Sequence, residues 1–201
     1  MSEISAALVK KLRDLTGAGM MECKAALQEA NGNVDDAVTI LRKRGLAQAA
    51  KKVGRSTSEG LIGSYIHAGG KIGVLLELNC ESDFVARTDD FQNLLREVAL
   101  QVAAASPTYV NREEVPAEVL DKERAIYRAQ MENSGKPAQV IDKIIEGKLG
   151  SFYSQFVLLD QPSIRDTAVT ISQLVAAASA KTGENIQVSR FVRFRVGEAA
   201  E

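Results

Sequence analysis

Val74-Leu75-Leu76-Glu77-Leu78-Asn79-Cys80-Glu81-Ser82-Asp83-Phe84-Val85-Ala86-Arg87 is the stretch on which the rest of the chain is organised. Its first half is an apolar, strand-like run and its second half a polar turn carrying one aromatic. Thr88-Asp89-Asp90 follows, a hydroxyl cap and then carboxylates where the helix dipole favours negative charge, so a helix is predicted to start there. Phe84 thus stands at a corner between a strand end and a helix start. An aromatic at such a corner either folds back into the core or projects as a wedge for a partner, and Asp83 beside it makes complete burial costly unless paired. Position alone favours packing.

Upstream, Leu61-Ile62-Gly63-Ser64-Tyr65-Ile66-His67 and Ile72 to Cys80 flank Ala68-Gly69-Gly70, which reads as a hairpin. Downstream, Phe91, Leu94, Leu95, Val98 and Val102 have helical spacing and predict a core-facing helix ending before Ser106-Pro107. An irregular patch, Tyr109 to Pro116, leads to a charged helix from Ala117 to about Asn133 marked by Leu120, Ile126 and Met131. Ser134-Gly135-Lys136-Pro137 breaks the chain, and Pro137 starts a helix bearing Val140, Ile141, Ile144, Ile145 and Leu149 that continues through Phe152, Tyr153, Phe156 and Val157. Asp166-Thr167 begins an alanine-rich helix to about Lys181, ended by Thr182-Gly183. A last strand carries Ile186, Val188, Val192, Phe194 and Val196 interleaved with Arg190, Arg193 and Arg195. Without a βαβ rhythm, this part is expected to be α+β, a three-stranded antiparallel sheet with packed helices.

The N-terminal part has a different grammar. From Ser2, the positions Ile4, Leu8, Leu12 and Leu15 mark one helix face that stops at Thr16-Gly17-Ala18-Gly19. A second helix runs from about Met20 to Ala30, with Ala26 and Leu27 inward, and closes at Asn31-Gly32. Asn33 caps a third, with Val34, Ala37, Val38 and Leu41 inward, expected to break at Gly45. Arg42, Lys43, Arg44, Lys51, Lys52 and Arg55 form a basic run without aromatic platforms, read as a solvated connection with some helix from Leu46 to Lys52 rather than a nucleic-acid site. The polar linker Ser56-Thr57-Ser58-Glu59-Gly60 sets the expected boundary: 1–55 as a helical domain, 56–201 as the α+β core.

Composition narrows the function classes. The 201 residues carry a net charge of −1, which creates no global field for nucleic acid or membrane. Cys23 and Cys80 lack the spacing of a disulfide framework or zinc site, which fits a reducing cytoplasm, and Met1-Ser2-Glu3-Ile4-Ser5 lacks the plan of a signal peptide. The single histidine, His67, falls beside the hairpin turn, about 30 Å from Cys80 at 3.3 Å per strand residue, so no Cys–His pair forms there. Gly69-Gly70-Lys71 lacks the flanking residues of a phosphate loop. Binding to another macromolecule is the better class than covalent chemistry.

Asn79 to Ala86 also resembles the signature of bacterial elongation factor Ts, the guanine-nucleotide exchange factor for elongation factor Tu, with Ser82 where the family usually has Thr. Thr16-Gly17-Ala18-Gly19-Met20-Met21-Glu22-Cys23-Lys24-Ala25-Ala26-Leu27 and Arg190-Phe191-Val192-Arg193-Phe194-Arg195-Val196-Gly197 match in the same order. The resemblance implies a short, single-core form with an N-terminal ubiquitin-associated-like (UBA-like) domain and a core that dimerises. It implies binding to elongation factor Tu in its GDP-bound and nucleotide-free states, with no cofactor or metal of its own, no direct nucleic-acid partner and no membrane. Ser82, Asp83, Phe84 and Val85 inherit by position the role of displacing Mg²⁺ from the partner's nucleotide site, and Arg13, Met20 and Met21 that of touching a helix of the partner. The competing expectation is a dimeric protein-interaction adaptor without exchange activity, which requires Phe84 in the core.

Overall fold

A computed structural model describes residues 4–131 and 135–198. The elements expected to begin at Ser2, to end at Asn133 and to break at Ser134 have those ends outside the described residues. The fold is α+β: three N-terminal helices, then a three-stranded antiparallel sheet with packed helices.

Helices α1 (Ala6–Thr16), α2 (Met20–Glu29) and α3 (Val34–Ala50) form a small bundle. Ser5 caps α1 by accepting from Leu8 N, and Asn33 caps α3 by accepting from Asp35 N and Asp36 N at 2.9 and 3.3 Å. Gly17 and Gly32 take the left-handed closing conformation at φ 68° and 87°. The bundle core is Val9, Leu12, Cys23, Ala26, Leu27, Ala30 and Ala37, with Val34, Val38 and Leu41 packed on it. Leu15, expected inward, is 64% exposed on the last turn of α1, and Val9 fills the inner stripe instead. Gly45 does not break α3. One glycine costs a helix about 1 kcal/mol, and the following Leu46, Ala47, Gln48, Ala49 and Ala50 are strong enough formers to carry the helix through it.

β1 (Glu59–Ile66) and β2 (Ile72–Cys80) form the predicted hairpin, closed by His67 N donating to Ile72 O, and β3 (Gln187–Arg195) pairs with β2 so that the order is β1-β2-β3. Val74, Leu76, Leu78 and Cys80 point to the buried face. That face receives α5 (Asp89–Ala105), whose Phe91, Leu94, Leu95, Val98 and Val102 are all buried as their spacing predicts. The approach is so close at Gly63 that a Cβ there would stand 2.6 Å from the Leu95 side chain, so only glycine fits. Between β2 and α5 lies α4 (Asp83–Ala86), a single turn of helix where the sequence predicted a turn.

α6 (Ala117–Met131) and α7 (Ala138–Phe156) pack on each other, tied by Arg128 to Asp142 and Lys148 to Gln130. A buried polar knot follows: Gln101 donates to Gln161 Oε1 at 3.0 Å and Pro162 O at 3.2 Å while accepting from Ile164 N at 2.9 Å. α8 spans Ile171–Thr182, later than the expected start at Asp166. Asp166 instead closes a turn, its side chain accepting from Ala168 N and its carbonyl from Val169 N. Two compact units emerge, Met1–Gly60 with Asn79–Gln92 and Gln173–Gln187, and Leu61–Leu78 with Asn93–Ser172 and Val188–Glu201.

Candidate functional site: a protein-contact surface

Both sets of sequence-predicted site residues fall in the first compact unit. Arg13 and the methionines flank the turn that joins α1 to α2. Arg13 is exposed in the last turn of α1, and its carbonyl accepts from Gly17 N at 2.7 Å. Met20 and Met21 open α2 at 47% and 76% exposure, so neither seals the bundle core. Glu22 reaches back to Gly19 N at 3.2 Å and fixes that opening turn.

The second set sits on α4. Ser82 is its N-cap, with Oγ accepting from Val85 N at 3.4 Å. Phe84 is 76% exposed, whereas its neighbours Val85 and Ala86 are buried at 4% and 3%. One turn of helix thereby splits its apolar residues, two inward as the root and one outward as the tip. The Val85 side chain is spent on the root, while its backbone N–H donates to Ser82 Oγ and its carbonyl accepts from the Thr88 hydroxyl. Asp83 accepts from Arg87 across the turn, an exposed pair that braces α4 rather than burying a charge. Position alone favoured Phe84 in the core, and the structure overturns that: the buried places on α4 are already taken.

Below α4 lies a group of contacts that sequence reasoning missed. The Glu184 carboxylate accepts from Glu81 N at 3.1 Å and Ser82 N at 3.0 Å through Oε2, and from the Ser82 hydroxyl at 2.6 Å through Oε1. Glu81 in turn accepts from Asn185 N at 2.6 Å and Arg55 at 3.4 Å, and Asn185 Nδ2 donates to Arg55 O at 3.1 Å. The Asn185 N–H, and after it the Arg55 guanidinium, hold the Glu81 carboxyl below its ordinary pKa. Burial first, and the Glu184 charge second, push the Cys80 thiol up, away from the reactive thiolate. The only sequence signal for Glu184 was an acidic residue just past the Thr182-Gly183 helix stop, and its partners lie about a hundred residues away.

Among the described residues no cluster of His, Cys, Asp or Glu is placed to hold a metal ion, and no helix is long and apolar enough to cross a membrane. Exposed apolar side chains on short, braced segments are the makings of a protein-contact surface. The comparison with known proteins gives that surface its context. The family described as Elongation factor TS matches residues 3–198. The chain is 64% identical to elongation factor Ts of Fervidobacterium nodosum, over 98% of this chain and 100% of the relative. It is 58% identical to those of Coprothermobacter proteolyticus and Thermosipho melanesiensis, over 98% and 97% of this chain and 100% of each relative. These matches place it among the translation elongation factors. Within that class, the chain belongs to the elongation factor Ts family.

Proposed function

We propose that the protein is the guanine-nucleotide exchange factor for elongation factor Tu, binding its GDP form and promoting GDP release so that GTP can enter. The observation that supports this most is Phe84, a rigid aromatic held three-quarters exposed on a buried, capped root. A nucleotide on a P-loop protein is held by backbone amides, a lysine and Mg²⁺, and an exchange factor has to deform that cradle rather than do covalent chemistry. Phe84 buries a large area for few lost rotamers and is the wedge. Ser82 and the Val85 backbone hold its base, and Asp83 presents carboxylate oxygens at the tip, so the segment displaces the partner's Mg²⁺ site. Arg13, Met20 and Met21 anchor the factor on a helix of the same partner, methionine being adaptable enough to fit a preformed groove. The coupling is reciprocal: GDP weakens the factor's binding by the factor that it weakens GDP's.

We read residues 1–55 as the UBA-like recognition domain and 56–201 as a core that dimerises in a cytoplasmic setting. The sheet supports the dimer. Opposite α5, Ile62, Ile66, Leu75, Val192 and Phe194 are exposed on β1, β2 and β3, with Val196 exposed just past the end of β3 and the Arg190–Glu77 pair on the same face. A second copy of the same face, related by a two-fold axis, is its self-complementary cover. Sedimentation at micromolar concentration tests this: a dimer is expected, and Phe194→Asp should yield monomer. The exchange reading is tested by the rate at which a fluorescent GDP leaves elongation factor Tu, expected to rise on adding this protein.

A further inference from the structure

We infer that Glu184 is a positioning residue for the Phe84 segment, and that the stretch 179–187 presets how the wedge is held relative to the Arg13–Met21 turn. The inference rests on the exchange-factor reading and adds to it the part that keeps the wedge stiff. A wedge strains its partner only if its own base does not yield first, so the groups that lock the base matter as much as the ring. The base of α4 consists of the Glu81 and Ser82 amides and the Ser82 hydroxyl, and a single carboxylate, Glu184, accepts from all of them. Hydrogen bonds to a charged acceptor are the stronger kind, and here they converge on the residue that caps α4.

The same stretch of chain grips the N-terminal bundle. Lys52 Nζ donates to Ser179 O at 2.8 Å, and Ser179 Oγ accepts from Ile186 N at 3.0 Å, folding the loop back on the helix end. Lys181 lies against Gly17 so closely that a Cβ there would stand 2.8 Å from its Cε, and its ammonium pairs with Asp90 at 2.6 Å. Asn185 completes the tie by joining Glu81 to the Arg55 carbonyl. Wedge and anchor are therefore both referenced to residues 179–187, which contribute no exposed apolar contact of their own.

The chemistry of the carboxylate gives a test that separates positioning from bulk stability. In Glu184→Gln the amide oxygen still accepts from both N–H groups while the amide nitrogen donates to Ser82 Oγ, so the bond count survives; in Glu184→Ala it vanishes. GDP release from elongation factor Tu is measured against concentration of the full-length native chain, both variants and Phe84→Ala, with folded fraction taken from melting curves and protection of the Glu81, Ser82 and Val85 amides from hydrogen exchange by NMR. Glu184→Ala is expected to lower the saturating release rate about 10-fold with a change in half-saturating concentration under about two-fold, because the anchor is intact and only the wedge has softened. The three amides lose protection, and Glu184→Gln restores most of the rate. A Glu184→Ala protein within about two-fold of the native saturating rate overturns the role, as does a Gln variant no better than Ala, or a loss that tracks the folded fraction alone. If the native chain itself accelerates nothing, the exchange reading fails and this role with it.

Discussion

Phe84 and Phe91 are the same residue type on one short segment, both within the first compact unit, yet one is 76% exposed and the other fully buried. Thr88 divides them. Its hydroxyl donates to Val85 O at 2.7 Å and accepts from Phe91 N at 3.3 Å, ending one helix and capping the next. After the cap, Phe91 enters a helix long enough to have an inner stripe and takes its first place there. Before it, α4 is one turn long and its inner places belong to Val85 and Ala86. Hydrophobicity therefore does not decide burial on this segment; the length of the helix and the phase of its cap do.

The largest effect that could break this contrast is on stability. Phe91→Ala should cost about 3–5 kcal/mol, whereas Phe84→Ala should stay within about 0.5 kcal/mol, read from urea melts of the two variants. Equal losses would mean that both rings are packing residues. Next comes the cap beneath the wedge: Ser82→Ala should cost about 1–2 kcal/mol and loosen α4 in hydrogen exchange, while Ser82→Thr, which keeps the hydroxyl, should be close to neutral.

A third comparison uses pH on the frame below Phe84. Because the Asn185 N–H holds Glu81 below its ordinary carboxyl pKa, the unfolded chain binds more protons in that range, and this stabilisation is present above the ordinary value and lost as pH falls through the folded one. The melting-temperature gap between native chain and Glu81→Gln should accordingly shrink from about pH 6 to about pH 3, and a gap that widens on acidification would contradict the assigned cause. The smallest effect is expected at Arg87→Ala, which removes the exposed partner of Asp83 and should cost no more than about 0.5 kcal/mol in a thermal melt.

Elements with strong local periodicity were legible before the structure. β2 and the inner face of α5 were read from spacing alone, and Asn33 and Thr88 were legible as caps because capping chemistry is local. Five features were not. Gly45 inside α3 and the turn at Asp166 were misplaced because breaker and starter residues act only as biases, overridden by the formers after Gly45 and by the Asx turn at Asp166. Leu15 fitted the helical period but lies beyond the bundle core. Phe84 carries no periodic signal on so short a helix, so its exposure came from tertiary packing, and the resemblance to a family anticipated it where spacing could not. Glu184 was invisible for a related reason: a carboxylate accepting from backbone amides far along the chain leaves no pattern in the sequence near it.

Under the exchange-factor proposal, the exposed ring is the working part and the buried ring the scaffold. The direct measurement is release of fluorescent GDP from elongation factor Tu, with excess unlabelled GDP, in the presence of the native chain and of Phe84→Ala shown to be folded by its unchanged melting curve. Acceleration by the native chain is expected, with loss of at least about 10-fold of it in the folded variant, one lost transition-state contact of about 1.4 kcal/mol or more. Native-like acceleration by Phe84→Ala would contradict it.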